Sequence, residues 1–255
     1  MAPGKDVTAR DGDLLALAVE AHGGLRRWRE LTSITVRLSL GGETCHEKGW
    51  AGVLHEMVVT VDPHAQRAWF APFTAPERRG LFTPDRVAIE TAGGDLIAER
   101  IDPRMAFDSL DIGARWDALH LAYFVGCTLW TCLTVPFVLT EPGFVTDELD
   151  PWREDGATWR RLRALFPTHV ASHGSDQVFY LGPEGLLRRH DYTVEIAGDA
   201  PIGLYTDEHQ IYGGISFPTL RRAVRRQPDG TTDPDPALLT IDISRITTST
   251  SGRAS

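Results

Sequence analysis

An almost uncharged stretch at residues 119–139 limits the possible folds more than any other part of the chain. It has the sequence LHLAYFVGCTLWTCLTVPFVL, and His120 is its most basic side chain. About 18 apolar residues can cross a bilayer, whereas a helix that is apolar all round is otherwise enclosed by its own protein. Gly126, Pro136 and the absence of flanking Lys or Arg clusters favour the enclosed helix. A membrane-associated protein anchored through residues 119–139 is the structurally distinct alternative.

The remaining sequence has the pattern of short antiparallel strands. Hydrophobic residues at 34, 36, 38 and 40 alternate with polar ones, which is typical of a half-buried strand. Residues 92–95 (AGGD) predict a hairpin turn, and further strands are predicted near 44–50 and 168–173. The order of helix, strands, helices and strands predicts an α+β fold. In it, one curved antiparallel sheet, an unclosed β-barrel, wraps the central apolar helix.

A single domain is predicted over residues 11–246, with flexible tails at 1–10 and 247–255. The formal net charge of -9 argues against a nucleic-acid partner, which needs a basic surface. The start of the chain, MAPGKDVTARDGD, has no apolar signal core, so a cytoplasmic location is expected. Three cysteines without a C-x-x-C motif predict reduced thiols rather than disulfides.

Several segments together resemble a known group of proteins. They are AHGGLRRWRELTSITVRLSL, LHLAYFVGCTLW, GPEGLLRRHDYTVEIAGDAPIGLY and GGISFPTLRR. They resemble uncharacterised, largely actinobacterial proteins whose pattern is similar to the LolA-like half-barrel superfamily, which includes periplasmic lipoprotein carriers. The resemblance implies an unclosed barrel whose concave face is covered by helices and holds acyl chains or other apolar ligands.

Two neighbouring strands carry the candidate catalytic residues. Alternation along 186–196 places His190 and Tyr192 on the apolar side of one strand. If Ile196 pairs near Gly203, His190 lies near His209 and Tyr192 lies near Asp207. Two imidazoles, a phenol and a carboxylate in an apolar pocket could perform general acid–base chemistry. Cross-strand hydrogen bonding between polar strand residues is the simpler interpretation.

Other side chains are candidates for contacting a ligand in the cavity. His120 opens the apolar helix, and one arginine of the pair at 221–222 is expected to face inward, where it could hold an anionic group. The candidate ligand-binding residues are His120, Tyr123, Trp130, Tyr205 and Arg221.

No metal or cofactor is predicted. His169 and His173 could share one strand face and bind zinc with a third ligand, but hydrogen-bonded or surface histidines are the simpler interpretation. The sequence has no GxGxxG, P-loop or GxSxG motif, so nothing indicates a nucleotide, flavin or nicotinamide.

The sequence therefore predicts a cytoplasmic protein that binds an apolar small molecule in a half-barrel cavity, with the option of cofactor-free acid–base chemistry. The alternative is a biosynthetic cyclase, isomerase or dehydratase of secondary metabolism, acting on a polyketide- or terpenoid-like substrate. Its proton transfers would then depend on the His, Tyr and Asp groups named above.

Overall fold

A computed structural model describes residues 13–251. The α-helices are α1 (Leu14–Ala21), α2 (Leu25–Glu30), α3 (Glu43–Glu47) and α4 (Ala118–Thr134). Single 3-10 turns lie at Pro103–Phe107, Phe137–Thr140 and Glu195–Ala197. The strands are β1 (Leu31–Gly41), β2 (Met57–Asp62), β3 (Arg67–Ala71), β4 (Arg78–Thr83), β5 (Arg86–Thr91), β6 (Leu96–Ile101), β7 (Val145–Glu154), β8 (Ala157–Leu165), β9 (Asp176–Leu181), β10 (Leu187–Val194), β11 (Ala200–Tyr212), β12 (Ile215–Arg226), β13 (Thr232–Asp233) and β14 (Leu239–Thr250).

All the strands belong to one 14-stranded antiparallel sheet that is not closed. Its order is β6-β5-β4-β3-β2-β1-β14-β12-β11-β10-β9-β8-β7, with the short β13 paired to β12. Neighbours in the chain are mostly neighbours in the sheet, and the last strand, β14, joins the two halves by pairing with β1 and β12. The predicted α+β architecture with an unclosed sheet around a central helix is confirmed.

Helix α4 forms the core of the sheet's concave side. Asp117 caps its N-terminus by accepting hydrogen bonds from the backbone N–H groups of Leu119 and His120. Its end is set by Pro136, which disfavours helical geometry at the preceding Val135. Of its 17 residues, 14 are buried, so the segment is the enclosed helix that the sequence favours.

The apolar helix lies tightly against the N-terminal half of the sheet. A methyl group added at Gly126 would come within 2.2 Å of the Phe82 ring on β4. On the same side, the Trp130 indole donates to the backbone carbonyl of Asp62 at 3.0 Å. Within residues 13–251, no helix is both long and apolar enough to cross a membrane.

Three sequence predictions about local structure are corrected. Residues 44–50 contain α3 rather than a strand, and 168–173 form a loop between β8 and β9. Strand β14 continues to Thr250, so residues 247–250, predicted to be a flexible tail, pair with β1 instead. The predicted tail at 1–10 lies outside the described residues, as does 252–255.

Candidate functional site

A cleft of about 370 Å³ opens on the concave side of the sheet, between α3, α4 and the C-terminal half. We call it the apolar cleft. Apolar side chains from α4, β10, β11, β12 and β14 line it, including Phe124, Tyr192, Val194, Ile202, Ala223 and Leu239. Its volume falls within the range of about 300–1,000 Å³ that is usual for small-molecule sites.

The apolar lining follows from strand alternation. On β10 and β11, Tyr192, Val194 and Ile202 all face the concave side and are buried. The charged residues of the lining balance each other: Glu47 and Asp199 oppose Lys48 and Arg225. Lys48 is buried, and the other three are exposed at the rim. A cleft with an apolar wall and little net charge suits a ligand that is mostly apolar.

A second, much smaller void of about 10 Å³ lies beside the apolar cleft, behind Tyr192, which lines both. We call it the polar chamber. It is lined by side chains of α4, the β8–β9 loop, β9, β10 and β11, namely Thr128, Thr131, Cys132, His173, Gln177, His190, Tyr192 and Leu204. Its volume corresponds to about one water molecule.

Hydrogen bonds hold the two histidines of the polar chamber in place. Nε2 of His173 lies 2.7 Å from the Thr128 hydroxyl, which donates to the backbone carbonyl of Phe124 at 2.8 Å. Nε2 of His190 lies 2.7 Å from Oε1 of Gln177, whose amide nitrogen donates to the carbonyl of Gly174. Both rings therefore have fixed orientations.

Stacking adds to this arrangement. The His173 and Tyr192 rings are nearly parallel at 6.0 Å, and the His190 and Tyr192 centroids are 4.7 Å apart. The His190 ring also stacks on Phe179 at 4.2 Å. The rings of His173, Tyr192, His190 and Phe179 thus contact one another in series and form a single stack.

The polar chamber disfavours charge. Burial lowers the pKa of His190 to about 3, and the neighbouring His173 and the guanidinium of Arg221 act in the same direction. Burial also lowers the pKa of His173 to about 3, with a further contribution from Arg104. The pKa of the Tyr192 phenol is raised, chiefly by burial. All three groups are neutral at physiological pH.

The predicted pairing of β10 with β11 is wrong. His190 lies opposite Leu204 rather than His209, a displacement of five residues along β11, which corresponds to about 17 Å. The connection is shorter than predicted, because a 3-10 turn at 195–197 is followed by positive-φ residues Gly198 and Asp199. Val194 therefore pairs with Ala200 at the start of β11.

This register separates the four candidate catalytic residues. His190 and Tyr192 lie together in the polar chamber. Asp207 is exposed opposite Leu220. His209 packs against His22 of α1, with ring centroids 6.0 Å apart. Among residues 13–251, no carboxylate lines the polar chamber, so the predicted His–Asp and Tyr–Asp pairs do not form.

The structure also places the five candidate ligand-binding residues, none of which lines the apolar cleft. His120 completes the N-terminal cap of α4 by accepting from the backbone N–H of Asp117 at 3.3 Å. Tyr123 is buried against Phe82, with ring centroids 5.8 Å apart. Trp130 is held by its hydrogen bond to the carbonyl of Asp62.

The other two ligand candidates have structural contacts as well. Arg221 faces inward, as predicted, and its guanidinium donates to the carbonyls of Pro218 and Cys132 at 2.8 and 2.6 Å. Tyr205 lies on the opposite face of the sheet, where its hydroxyl donates to Glu154 at 2.5 Å and lies 3.3 Å from the guanidinium of Arg189.

The histidine pair considered for zinc is divided. His169 is exposed in the β8–β9 loop, whereas His173 is buried in the polar chamber. Across residues 13–251, no three His, Cys, Asp or Glu side chains come together as a metal site requires.

Sequence reasoning missed two residues that build the polar chamber. Gln177 and Thr128 fix the histidines by hydrogen bonds, yet each lies in a segment whose periodicity carries no sign of a site. A polar side chain in the middle of a buried helix, such as Thr128, is a usable signal, because a buried polar group requires a partner.

Comparisons with known proteins identify the fold. No family model matches the chain, and no curated protein matches it. Among solved structures, a DUF1329 family protein from Desulfovibrio piger is similar over 92% of this chain and 91% of its own, with a TM-score of 0.55 and 12% identity. A domain of an outer membrane lipoprotein-sorting protein from Vibrio parahaemolyticus, as that protein is named, is similar over 94% of both chains at a TM-score of 0.51 and 12% identity.

A LolA superfamily protein from Nitrosomonas europaea has the same TM-score of 0.51, with 8% identity over 93% of both chains. At such identities the likeness concerns the fold alone. The resemblance to the LolA-like half-barrel is thus confirmed as a shared architecture.

Proposed function

We propose that this protein binds an apolar small molecule in the apolar cleft and releases it unchanged. The observation that carries the proposal is the cleft itself, about 370 Å³ in volume, apolar along its walls and open to solvent at a charged rim. The Vibrio parahaemolyticus protein of the same fold is named for lipoprotein sorting, which is consistent with a half-barrel that receives an apolar group.

Binding fits the geometry better than acid–base catalysis. A general acid or base works best when its pKa is near the working pH, whereas the pKa of His173 and His190 is about 3. With the predicted carboxylate partner Asp207 exposed on another part of the sheet, these imidazoles are weak bases that cannot retain a proton. For the cyclase, isomerase or dehydratase alternative, neither histidine of the polar chamber has a pKa near neutrality.

Binding of a fluorescent apolar dye tests the proposal. Phenylnaphthylamine should bind the wild-type protein, and Ala200→Trp at the mouth of the apolar cleft should weaken binding by at least about tenfold. Ala200 begins β11 and is half-buried, so the larger ring enters the cleft rather than the packed core.

The matched control is Ala157→Trp, at the half-buried start of β8 and outside the cleft. It should leave dye affinity unchanged. Equal affinity in wild type and Ala200→Trp, or no binding at all, would refute the proposal. If the dye binds as expected, native mass spectrometry of freshly purified protein would identify a co-purifying compound. A cytoplasmic location stays a prediction, which fractionation of the producing cells can test.

A further inference from the structure

The hydrogen-bond network of the polar chamber indicates the tautomer of His173. The Thr128 hydroxyl has one proton, and we assign it to the carbonyl of Phe124, which lies 2.8 Å away and four residues back in the helix, where a helical threonine usually donates. The 2.7 Å contact between Thr128 Oγ1 and His173 Nε2 therefore requires the proton to be on Nε2. Since the ring is neutral, Nδ1 of His173 has a lone pair and no proton.

Within residues 13–251, that lone pair has no partner. His173 is only 6% exposed, and its Nδ1 is buried without a hydrogen bond to any described residue. A buried acceptor left unpaired costs about 1–3 kcal/mol. The side chain of His173 lines the polar chamber, and the chamber has room for about one oxygen atom with its proton.

The same logic applies to His190. Gln177 uses its amide nitrogen to donate to Gly174, so its Oε1 must accept the proton of His190 Nε2. Both imidazoles of the polar chamber therefore have an unprotonated Nδ1. A group that pairs with the buried Nδ1 of His173 must donate a hydrogen bond.

The electrostatics restrict what that donor can be. The guanidiniums of Arg104 and Arg221 already disfavour positive charge on His173 and His190, so an ammonium group would be repelled. A carboxylate has no proton to give to either Nδ1. A hydroxyl is neutral, donates one hydrogen bond, and can accept another from the Tyr192 phenol, which lines both the polar chamber and the apolar cleft.

We infer that the ligand of the apolar cleft is a neutral, mostly apolar alcohol whose hydroxyl occupies the polar chamber and donates to Nδ1 of His173. This inference rests on the proposed function, because it needs the apolar part of the ligand to lie in the cleft. It assigns His173 and Tyr192 to ligand selection.

Two probes that differ in one donor test the inference. Lauryl alcohol and lauryl fluoride have the same chain and heads of similar size, but only the alcohol can donate a hydrogen bond. The wild-type protein should bind the alcohol at least about tenfold more tightly than the fluoride in calorimetric titrations. In His173→Phe, which keeps a flat ring, the ratio should fall to about one while affinity for the fluoride is kept.

His169→Phe is the matched control, because His169 is exposed in the same loop; it should keep the wild-type ratio. Thr128→Val gives a second variant, since it removes the hydroxyl that orients the His173 ring; its ratio should also drop. If the wild-type protein binds both probes equally, the inference is wrong and the polar chamber holds only water. If neither probe binds, the proposed function itself fails.

Discussion

Mild acid should destabilise this protein well before its carboxylates are protonated. Three histidines, His22, His173 and His190, are almost fully buried and neutral in the folded chain. Burial lowers the pKa of His22 to about 4 and the pKa of the other two to about 3. In the unfolded chain, each imidazole has its ordinary pKa of about 6.5.

The sign follows from where the protons bind. Between about pH 6.5 and pH 4, the unfolded chain takes up protons at these positions and the folded chain does not, so the free energy of unfolding decreases as the pH falls. Linkage gives a loss of about 2 kcal/mol for each histidine between about pH 7 and pH 5, and about 5–6 kcal/mol for the three. That is a large part of the stability of an ordinary domain.

Urea denaturation, followed by tryptophan fluorescence at several pH values, measures the effect. His190→Gln keeps a donor toward Gln177 but removes the titrating group, so its loss of stability between about pH 7 and pH 5 should be about 2 kcal/mol smaller than in wild type. His46→Gln, which removes a solvent-exposed imidazole on α3, is the control and should follow wild type. A His190→Gln profile parallel to wild type would show that this burial argument is wrong.

Three further predictions concern stability and use the same denaturation assay at neutral pH. Gly126→Ala should cost about 1–3 kcal/mol, because the new methyl group overlaps the ring and Cβ of Phe82; no loss would mean that α4 can move away from β4. Arg189→Met should cost about 3 kcal/mol, because the buried Asp191 carboxylate loses the guanidinium at 2.6 Å and keeps the more distant one of Arg226 at 3.5 Å; a neutral result would mean that Arg226 or water compensates this carboxylate. Asp117→Ala should cost about 1 kcal/mol by removing the cap of α4, whereas Asp117→Ser should retain most of it.

The elements that sequence reasoning placed well are those whose pattern is local. Strand β1 includes residues 34–40, as the alternation of hydrophobic and polar residues predicts, and α4 ends just before Pro136. Helix α3 could not be found in this way. The backbone N–H groups of Glu43 and Thr44 donate to the carbonyls of Ala237 and Leu238, so contacts distant in sequence determine the conformation of this segment.

The register of β10 against β11 shows a different limit. Alternation correctly places His190 and Tyr192 on the concave face, because that depends only on the strand itself. Which residue of β11 faces them depends on the connection, where Gly198 and Asp199 adopt positive φ angles of 75° and 56°. A turn of that type shortens the loop. The hydrophobic pattern of the two strands does not indicate that the loop is short.

The burial of His173 and His190 determines their chemical properties. An imidazole in a packed, apolar layer loses its affinity for protons, so it becomes a poor base, but its lone pair becomes a better-defined acceptor because water cannot compete for it. In the binding mode that we propose, Nδ1 of His173 accepts one proton from one position on the ligand. Two buried histidines in a half-barrel therefore favour binding of a hydroxyl group over catalysis on that group. Catalysis would need a carboxylate beside the histidines or a path by which water reaches them.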